Sequence, residues 1–274
     1  MLELPEIVTL ARQAAEALSG ATVASCDQGN SPHKFAWYSA GPAEYDRITR
    51  GKTVSGAKGV GNRMALRLEP GYWMALGDMG GKVLLHADAG TLPKKRHLTL
   101  GFTDGRTLTA AIQGWGGMWL MTDDELSRYA EAIPISPVSD EFTYERFREL
   151  VADDAQRGKR SVKAFMASRP RITGVGNGYV QDICFRAGLH PRHDLSDLTP
   201  QQLRRWHRAI RQMLTEAIQR GGRDTESDLQ GKPGGSVAIL DRRANGQPCP
   251  ECGTRIEKIA YLGGSCYFCP QCQT

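Results

Sequence analysis

No run of 18 consecutive apolar residues occurs in the 274-residue chain, which excludes a helix that spans a membrane. The N-terminus, MLELPEIVTL, lacks the cations and cleavage motif of a secretory leader and carries carboxylates at Glu3 and Glu6 instead, so a cytoplasmic protein is expected. Cysteine is scarce before residue 249, where only Cys26 and Cys184 occur, and a disulfide framework is therefore excluded for most of the chain. Acidic residues are scarce in one stretch only. Residues 157–223 hold 4 Asp and Glu against 14 Lys and Arg, whereas 1–156 hold 20 against 16 and 224–274 hold 6 against 5. A block at +10 between near-neutral neighbours suits a polyanion, most simply a nucleic-acid backbone, with a solvated helical face as the alternative. What is present is ordinary globular composition, 40% hydrophobic and 24% charged, long enough for two domains and a small appended module.

Apolar residues recur at helical spacing through 3–19 and stop at Gly20, which predicts a helix. From 21 to about 122 short alternating or apolar runs separated by glycine, such as NRMALRLEP, YWMALGD and TLTAAIQG, predict an antiparallel sandwich or barrel. AIPISPVSDEF marks a boundary near 133–141. Helices are then expected at 143–155, 161–168, 178–188 and 200–220, the last opening on Thr199-Pro200 and closing at Gly221-Gly222. The final residues hold short β-like stretches, IEKIAYL and CYFC.

Two motifs carry chemistry. Cys249-x2-Cys252, sixteen residues and Cys269-x2-Cys272 form two knuckles whose four thiolates complete the tetrahedral shell of one structural zinc ion; redox thiols are the alternative, and Cys266 breaks the symmetry of the pairs. Thr173-Gly-Val-Gly-Asn-Gly-Tyr179 stands at the entry to a helix inside the +10 segment. There, glycine lets a phosphate approach the free N–H groups; an ordinary interhelical turn is the alternative.

The order of an ELPE N-terminus, a glycine-punctuated β domain, a helical segment with GVGNGY, a GKPGG loop and a four-cysteine tail resembles the formamidopyrimidine-DNA glycosylase and endonuclease VIII family over nearly the whole chain. The resemblance implies an α+β multidomain fold: a β-sandwich with an N-terminal helix at 1–135, a helix-two-turns-helix DNA-binding domain at 140–232 and a zinc-finger hairpin at 233–274. It implies action on damaged bases flipped out of duplex DNA. Glu3 matches the family's carboxylate beside the N-terminal amine, Glu6 the second glutamate of that turn, and Asn177 a DNA-phosphate ligand. Lys163 matches a basic residue near the backbone, and Cys249, Cys252, Cys269 and Cys272 match the zinc ligands.

The departures bear on mechanism. The family's nucleophile is a proline at the position of Leu2, exposed when Met1 is removed, and its secondary amine attacks the sugar C1′ to form the imine of strand cleavage. Methionine is trimmed before small residues, so ahead of leucine Met1 is expected to stay and to displace the free amine by one residue. The family's turn lysine falls on Asn62, with Lys58 or Lys52 as substitutes, and its zinc-finger arginine falls on Gly264, with Arg242 and Arg243 as substitutes. The hole left by a flipped base would be filled by Trp115, with Met79, or Asp78, from LGDMGG. Ser31–Tyr38, with His33, Lys34 and three aromatics, has no counterpart in the family. It is read as a base pocket with His33 and Lys34 as relocated catalytic groups, or as an edge strand.

The expected function is a monomeric DNA glycosylase that hydrolyses the N-glycosidic bond of a modified base in duplex DNA through Glu3, with AP-lyase activity weak or absent. A non-catalytic DNA-damage binder is the alternative, and an RNA-binding module ranks below both. Segment 223–236 resembles the family's base-covering loop.

Overall fold

The computed structural model describes residues 1–274 apart from the side chain of Ala89. The chain folds as two units, Met1–Ile133 with Arg220–Gly235, and Pro134–Gln219 with Ser236–Thr274. This grouping differs from the expected three domains in two respects: the segment 220–235 packs with the N-terminal residues, and the finger groups with the helices of 134–219.

The first unit opens with helix α1 (Leu4–Leu18), whose Pro5 occupies the first turn, where a missing N–H costs no hydrogen bond. Ile7, Leu10, Ala11, Ala14 and Leu18 form its buried stripe, as the spacing predicts. There follow β1 (Val23–Asp27), β2 (Ala36–Tyr38), helix α2 (Pro42–Thr49), β3 (Thr53–Val60), β4 (Arg63–Glu69), β5 (Tyr72–Gly77), β6 (Gly81–His86), β7 (Leu98–Phe102), β8 (Thr107–Ile112), β9 (Gly116–Thr122) and helix α3 (Asp123–Ala132). The strands make a four-stranded sheet, β1-β7-β8-β6, and a five-stranded sheet, β2-β9-β5-β4-β3. All neighbours are antiparallel except β2 and β9.

Alternation along the strands sends Met64, Leu66, Met74, Leu76 and Met118 of one sheet and Val23, Leu98, Leu100, Leu108 and Ala110 of the other into a shared core, together with the apolar stripe of α1. Each such side chain contributes about 1.5–3 kcal/mol of transfer free energy. The opposite face of the five-stranded sheet builds a smaller cluster from Val60, Ala65, Trp73, Ala75 and Leu126 of α3. Neither α2 nor α3 is assigned by apolar periodicity, because each buries few side chains: Tyr45 and Thr49 in one, Leu126 in the other. The signal at α3 is its start, where Thr122 accepts from Glu125 N and the Glu125 carboxylate accepts from Thr122 N at 2.8 Å.

The second unit holds α4 (Tyr144–Gln156), α5 (Val180–Ala187), α6 (Pro200–Gln219) and the antiparallel hairpin β10 (Glu257–Tyr261) and β11 (Gly264–Phe268). Trp206, Ala209, Ile210, Met213, Leu214 and Ala217 give α6 a continuous buried stripe. The helix expected at 161–168 starts at Ser161, whose Oγ accepts from Ala164 N and whose carbonyl accepts from Phe165 N, and widens to a π-helical turn over Ala164–Ser168. Asp182 anchors the chain leading to the hairpin: its buried carboxylate accepts from Ile239 N and Leu240 N, each at 2.8 Å. Burial pushes its pKa up to about 6.

Candidate active site and metal centre

In the first unit the chain start, the turn after β5 and the turn after β8 are tied by backbone hydrogen bonds. Leu2 N donates to Met79 O at 2.9 Å, Gly80 N donates to Trp115 O at 3.0 Å, and Gln113 N donates to Gly80 O. Leu2 is 2% exposed and belongs to the main core, so its nitrogen is a hydrogen-bonded amide and its side chain an apolar anchor. The free amine is that of Met1, which pairs with Glu226 Oε1 at 2.8 Å.

Glu3 caps α1, and its N–H donates to Glu6 Oε2 at 2.9 Å. Both glutamates are 3% exposed. Buried carboxylates need partners, and Arg223 supplies a cation to both. Arg223 donates its N–H to Glu6 Oε1 at 3.0 Å, its guanidinium lies 3.5 Å from Glu3 Oε1, and its Nη2 donates to Met1 O at 2.7 Å. The segment carrying Arg223 is held against α1 by Leu229 N donating to Gln13 Oε1 and by Gln13 Nε2 donating to Asp228 Oδ2. Gly222, at φ +90°, lets the backbone turn close to Glu6. Sequence reasoning missed Arg223 and Glu226. Their signal was the segment 223–236 itself, whose RDTES run places a cation and two acids beside Gly221-Gly222.

The expected base-stack residues separate. Trp115 stands 53% exposed after Gly114, whereas Met79 is fully buried in the core. Met79 therefore cannot enter a base stack from where it lies, and Asp78 takes the half-buried turn position, at φ +47° with its carboxylate 3.1 Å from Arg63 Nε. Lys58 is exposed and lies over the Trp73 ring at 4.7 Å. Lys52 flanks the other end of β3, its amine donating to Pro70 O, which leaves Lys58 as the cation at the Asn62 turn. His97, beside His33 at 5.2 Å, accepts from Ile112 N through Nδ1, and burial lowers its pKa, so it serves the fold as a neutral ring.

In the second unit the sulfur atoms of Cys249, Cys252, Cys269 and Cys272 all lie within 4.8 Å of one another. Zinc–sulfur bonds of about 2.3 Å in a tetrahedron put the sulfurs about 3.8 Å apart. The Cys249–Cys272 and Cys252–Cys269 separations are 3.9 and 3.5 Å, so the four form a site for one zinc ion. Cys266 stands outside it, buried against Lys163 Nζ at 3.3 Å. Lys163 is itself fully buried and donates to Tyr261 O, so it braces the hairpin rather than facing solvent as a phosphate ligand would. Asn177 is exposed in the glycine turn that precedes α5. A Cβ at Gly264 would come within 2.7 Å of its amide nitrogen, so the two positions share one space. Arg242 is exposed, while Arg243 is held by Asp241 at 2.7 Å.

The chain matches the formamidopyrimidine-DNA glycosylase N-terminal domain over residues 1–111, the formamidopyrimidine-DNA glycosylase H2TH domain over 133–228 and the zinc finger found in FPG and IleRS over 246–274. It is 30% identical over 281 residues to the formamidopyrimidine-DNA glycosylase of Bacillus licheniformis, covering 100% of this chain and 99% of that protein. The formamidopyrimidine-DNA glycosylase of an Exiguobacterium species is also 30% identical, over 292 residues with the same coverage. Among solved structures, a complex between the Lactococcus lactis Fpg and DNA containing an abasic site aligns with a TM-score of 0.85 and 26% identity over 99% of both chains.

Proposed function

Because this chain belongs to the formamidopyrimidine-DNA glycosylase family, we propose that it is a base-excision-repair DNA glycosylase working by hydrolysis, with little or no lyase step. The observation that carries the reading is the state of the first three residues. The nitrogen of residue 2 is an amide bonded to Met79 O and the Met1 amine is held by Glu226, while the Glu3 carboxylate is retained. With Met1 in place the residue-2 nitrogen is an amide, which has no lone pair free to attack C1′, and this supports a route without an imine at residue 2.

Glu3 is the catalytic carboxylate in this account. It takes a proton from a water molecule as the water oxygen bonds to C1′; the bond from C1′ to the base nitrogen breaks with its electron pair going to the base, and the proton held by Glu3 passes to the departing base, which restores the carboxylate. Arg223 is a positioning residue that holds the Glu3 and Glu6 carboxylates in place. Trp115 fills the space of the extruded base. Asn177, Lys58 and Arg242 contact phosphate, and the zinc ion folds the finger through Cys249, Cys252, Cys269 and Cys272. Residues 1–135 form the catalytic domain on this reading, with the protein acting as a monomer in the cytoplasm on duplex DNA that bears a modified base.

One observation favours the alternative of a damage binder without chemistry: the Arg223 guanidinium already occupies the Glu3–Glu6 pair, and neither carboxylate is open to solvent. Incubating the protein and its Glu3→Gln variant with duplexes carrying oxidised, alkylated and abasic lesions separates the two. Base release by the wild type that is lost in the variant supports the hydrolase; tight binding of lesions with no release by either protein supports the binder.

A further inference from the structure

Among the described residues the exposed phenylalanine, tyrosine and tryptophan side chains are Phe35 at 47%, Trp37 at 48% and Trp115 at 53%, and one sheet edge carries all of them. The parallel pairing of β2 with β9 explains why. Ala36 lies level with Gly116 and Trp37 with Gly117, and Gly116 N donates to Phe35 O at 3.0 Å. Phe35 and Trp37, two residues apart, share the outward face, while Ala36 and Tyr38 pack against the core. The ring centroids of Phe35 and Trp37 are 6.4 Å apart, and Trp115 immediately precedes Gly116, the partner of Ala36. Opposite Trp37, Gly117 has no side chain, and the Trp119 ring fills the position its Cβ would take, stacked in turn on Arg63 at 3.5 Å. The inward positions of this edge are used by the fold and the outward ones are left as a run of flat rings.

Cations flank the rings. Lys34 Nζ lies 5.5 Å from the Phe35 ring, and the loop 93–97 is bound to the loop before β2 by Asn30, which donates to Lys94 O and exchanges hydrogen bonds with Arg96. Segments 28–38 and 93–97 together carry Lys34, Lys94, Lys95 and Arg96 and no carboxylate. None of these four is ion-paired among the described residues. Protein partners prefer interface cores depleted in lysine, whereas rings interleaved with unpaired cations match a nucleic-acid strand whose bases stack and whose phosphates are neutralised. The bases of an intact duplex offer only their edges, so flat rings on a surface select bases that are not paired.

We propose that Phe35, Trp37 and Trp115, with Lys34, Lys94 and Lys95, form a stacking platform for the unpaired nucleotides of a DNA strand. The inference deepens the DNA reading above and rests on it for the choice of DNA, while Phe35 and Trp37 extend the stacking surface beyond Trp115. It also gives the unassigned segment 31–38 a role that needs neither His33 nor Lys34 as a catalyst.

The test uses the full-length, zinc-loaded protein titrated with a dodecathymidylate oligonucleotide and, separately, with an undamaged duplex, following tryptophan fluorescence and anisotropy. The oligonucleotide is expected to quench fluorescence. The double variant Phe35→Ala, Trp37→Ala weakens its binding by about tenfold or more, since each base–ring stack contributes about 1–3 kcal/mol. The double variant Lys94→Gln, Lys95→Gln lowers the log–log salt slope by about 1.4, at about 0.7 per phosphate contact on single strands. Duplex affinity moves by less than about twofold in the aromatic variant, because duplex binding is dominated by phosphate contacts elsewhere. Wild-type protein that is not quenched, or an aromatic variant that binds the oligonucleotide as tightly as the wild type, overturns the proposal. So does an equal loss on duplex, which would make this edge part of a general duplex clamp. Lesion excision that fails while single-strand binding persists would remove the hydrolase and leave the platform standing.

Discussion

The two chemical centres of this chain have diverged from their family to very different degrees. At the finger, all four sulfur ligands are present and lie within 4.8 Å of one another. At the N-terminus both glutamates are present and buried, while the position where the resemblance places the proline nucleophile holds a leucine that is 2% exposed. The contrast follows from what each site must do to keep the protein folded. Metal binding is the folding free energy of a small module, so the loss of one thiolate is felt by the whole finger. A nucleophilic amine adds nothing to folding, and Leu2 in its place adds the burial of an apolar side chain, about 1.5–3 kcal/mol. Chemistry can be lost at such a position without any loss of stability.

The largest expected effect lies on the finger side of this comparison. Removing zinc, or replacing Cys249 with Ser, is expected to unfold residues 248–274 and abolish DNA binding, since structural zinc contributes about 10–16 kcal/mol in such modules. Loss of dispersed amide signals in that segment alone is the readout, and full DNA binding by the variant would break the comparison. On the other side, Glu3→Gln is expected to lower base release by about 10²- to 10⁴-fold while the melting temperature changes little. Asp182→Ala should cost about 3 kcal/mol by denaturant titration, because two backbone N–H groups would be left buried without acceptors. The same residue sets a pH dependence. Its folded-state pKa of about 6 lies above the ordinary 3.8, so the folded state holds the proton more tightly and this contribution to stability falls as pH rises from about 3.8 to about 6. Asp182→Asn should flatten that slope. The smallest effect is expected from Gly264→Arg: once the Asn177 amide swings aside, a restored phosphate contact should steepen the salt dependence of duplex binding by about 0.9.

Much of this was legible in the sequence. Helical spacing located α1, α4 and α6, alternation located most strands of the sandwich, and Cys-x2-Cys spacing located the metal site, because each rests on a regular period or a short fixed distance. The charged cluster at the chain start was half visible. Glu3 and Glu6 could be read as a helix start, but Arg223 pairs with Glu6 across 217 residues of sequence, and no local pattern announces a contact of that separation. The family resemblance makes Met79 and Lys163 DNA contacts. The fold uses the same properties inward, the thioether in the core and the ammonium on Tyr261 O. Phe35 and Trp37 read as aromatic in the sequence, but only the parallel pairing of β2 with β9 brings their segment beside that of Trp115.

The central claim is that this glycosylase lacks the N-terminal imine. Borohydride trapping on lesion-bearing and abasic duplexes, followed by mass spectrometry of the N-terminal peptide, tests it most directly. The account predicts that the base is released and no protein–DNA adduct is trapped. An adduct on the nitrogen of Met1, or on that of Leu2 after removal of Met1, would contradict it.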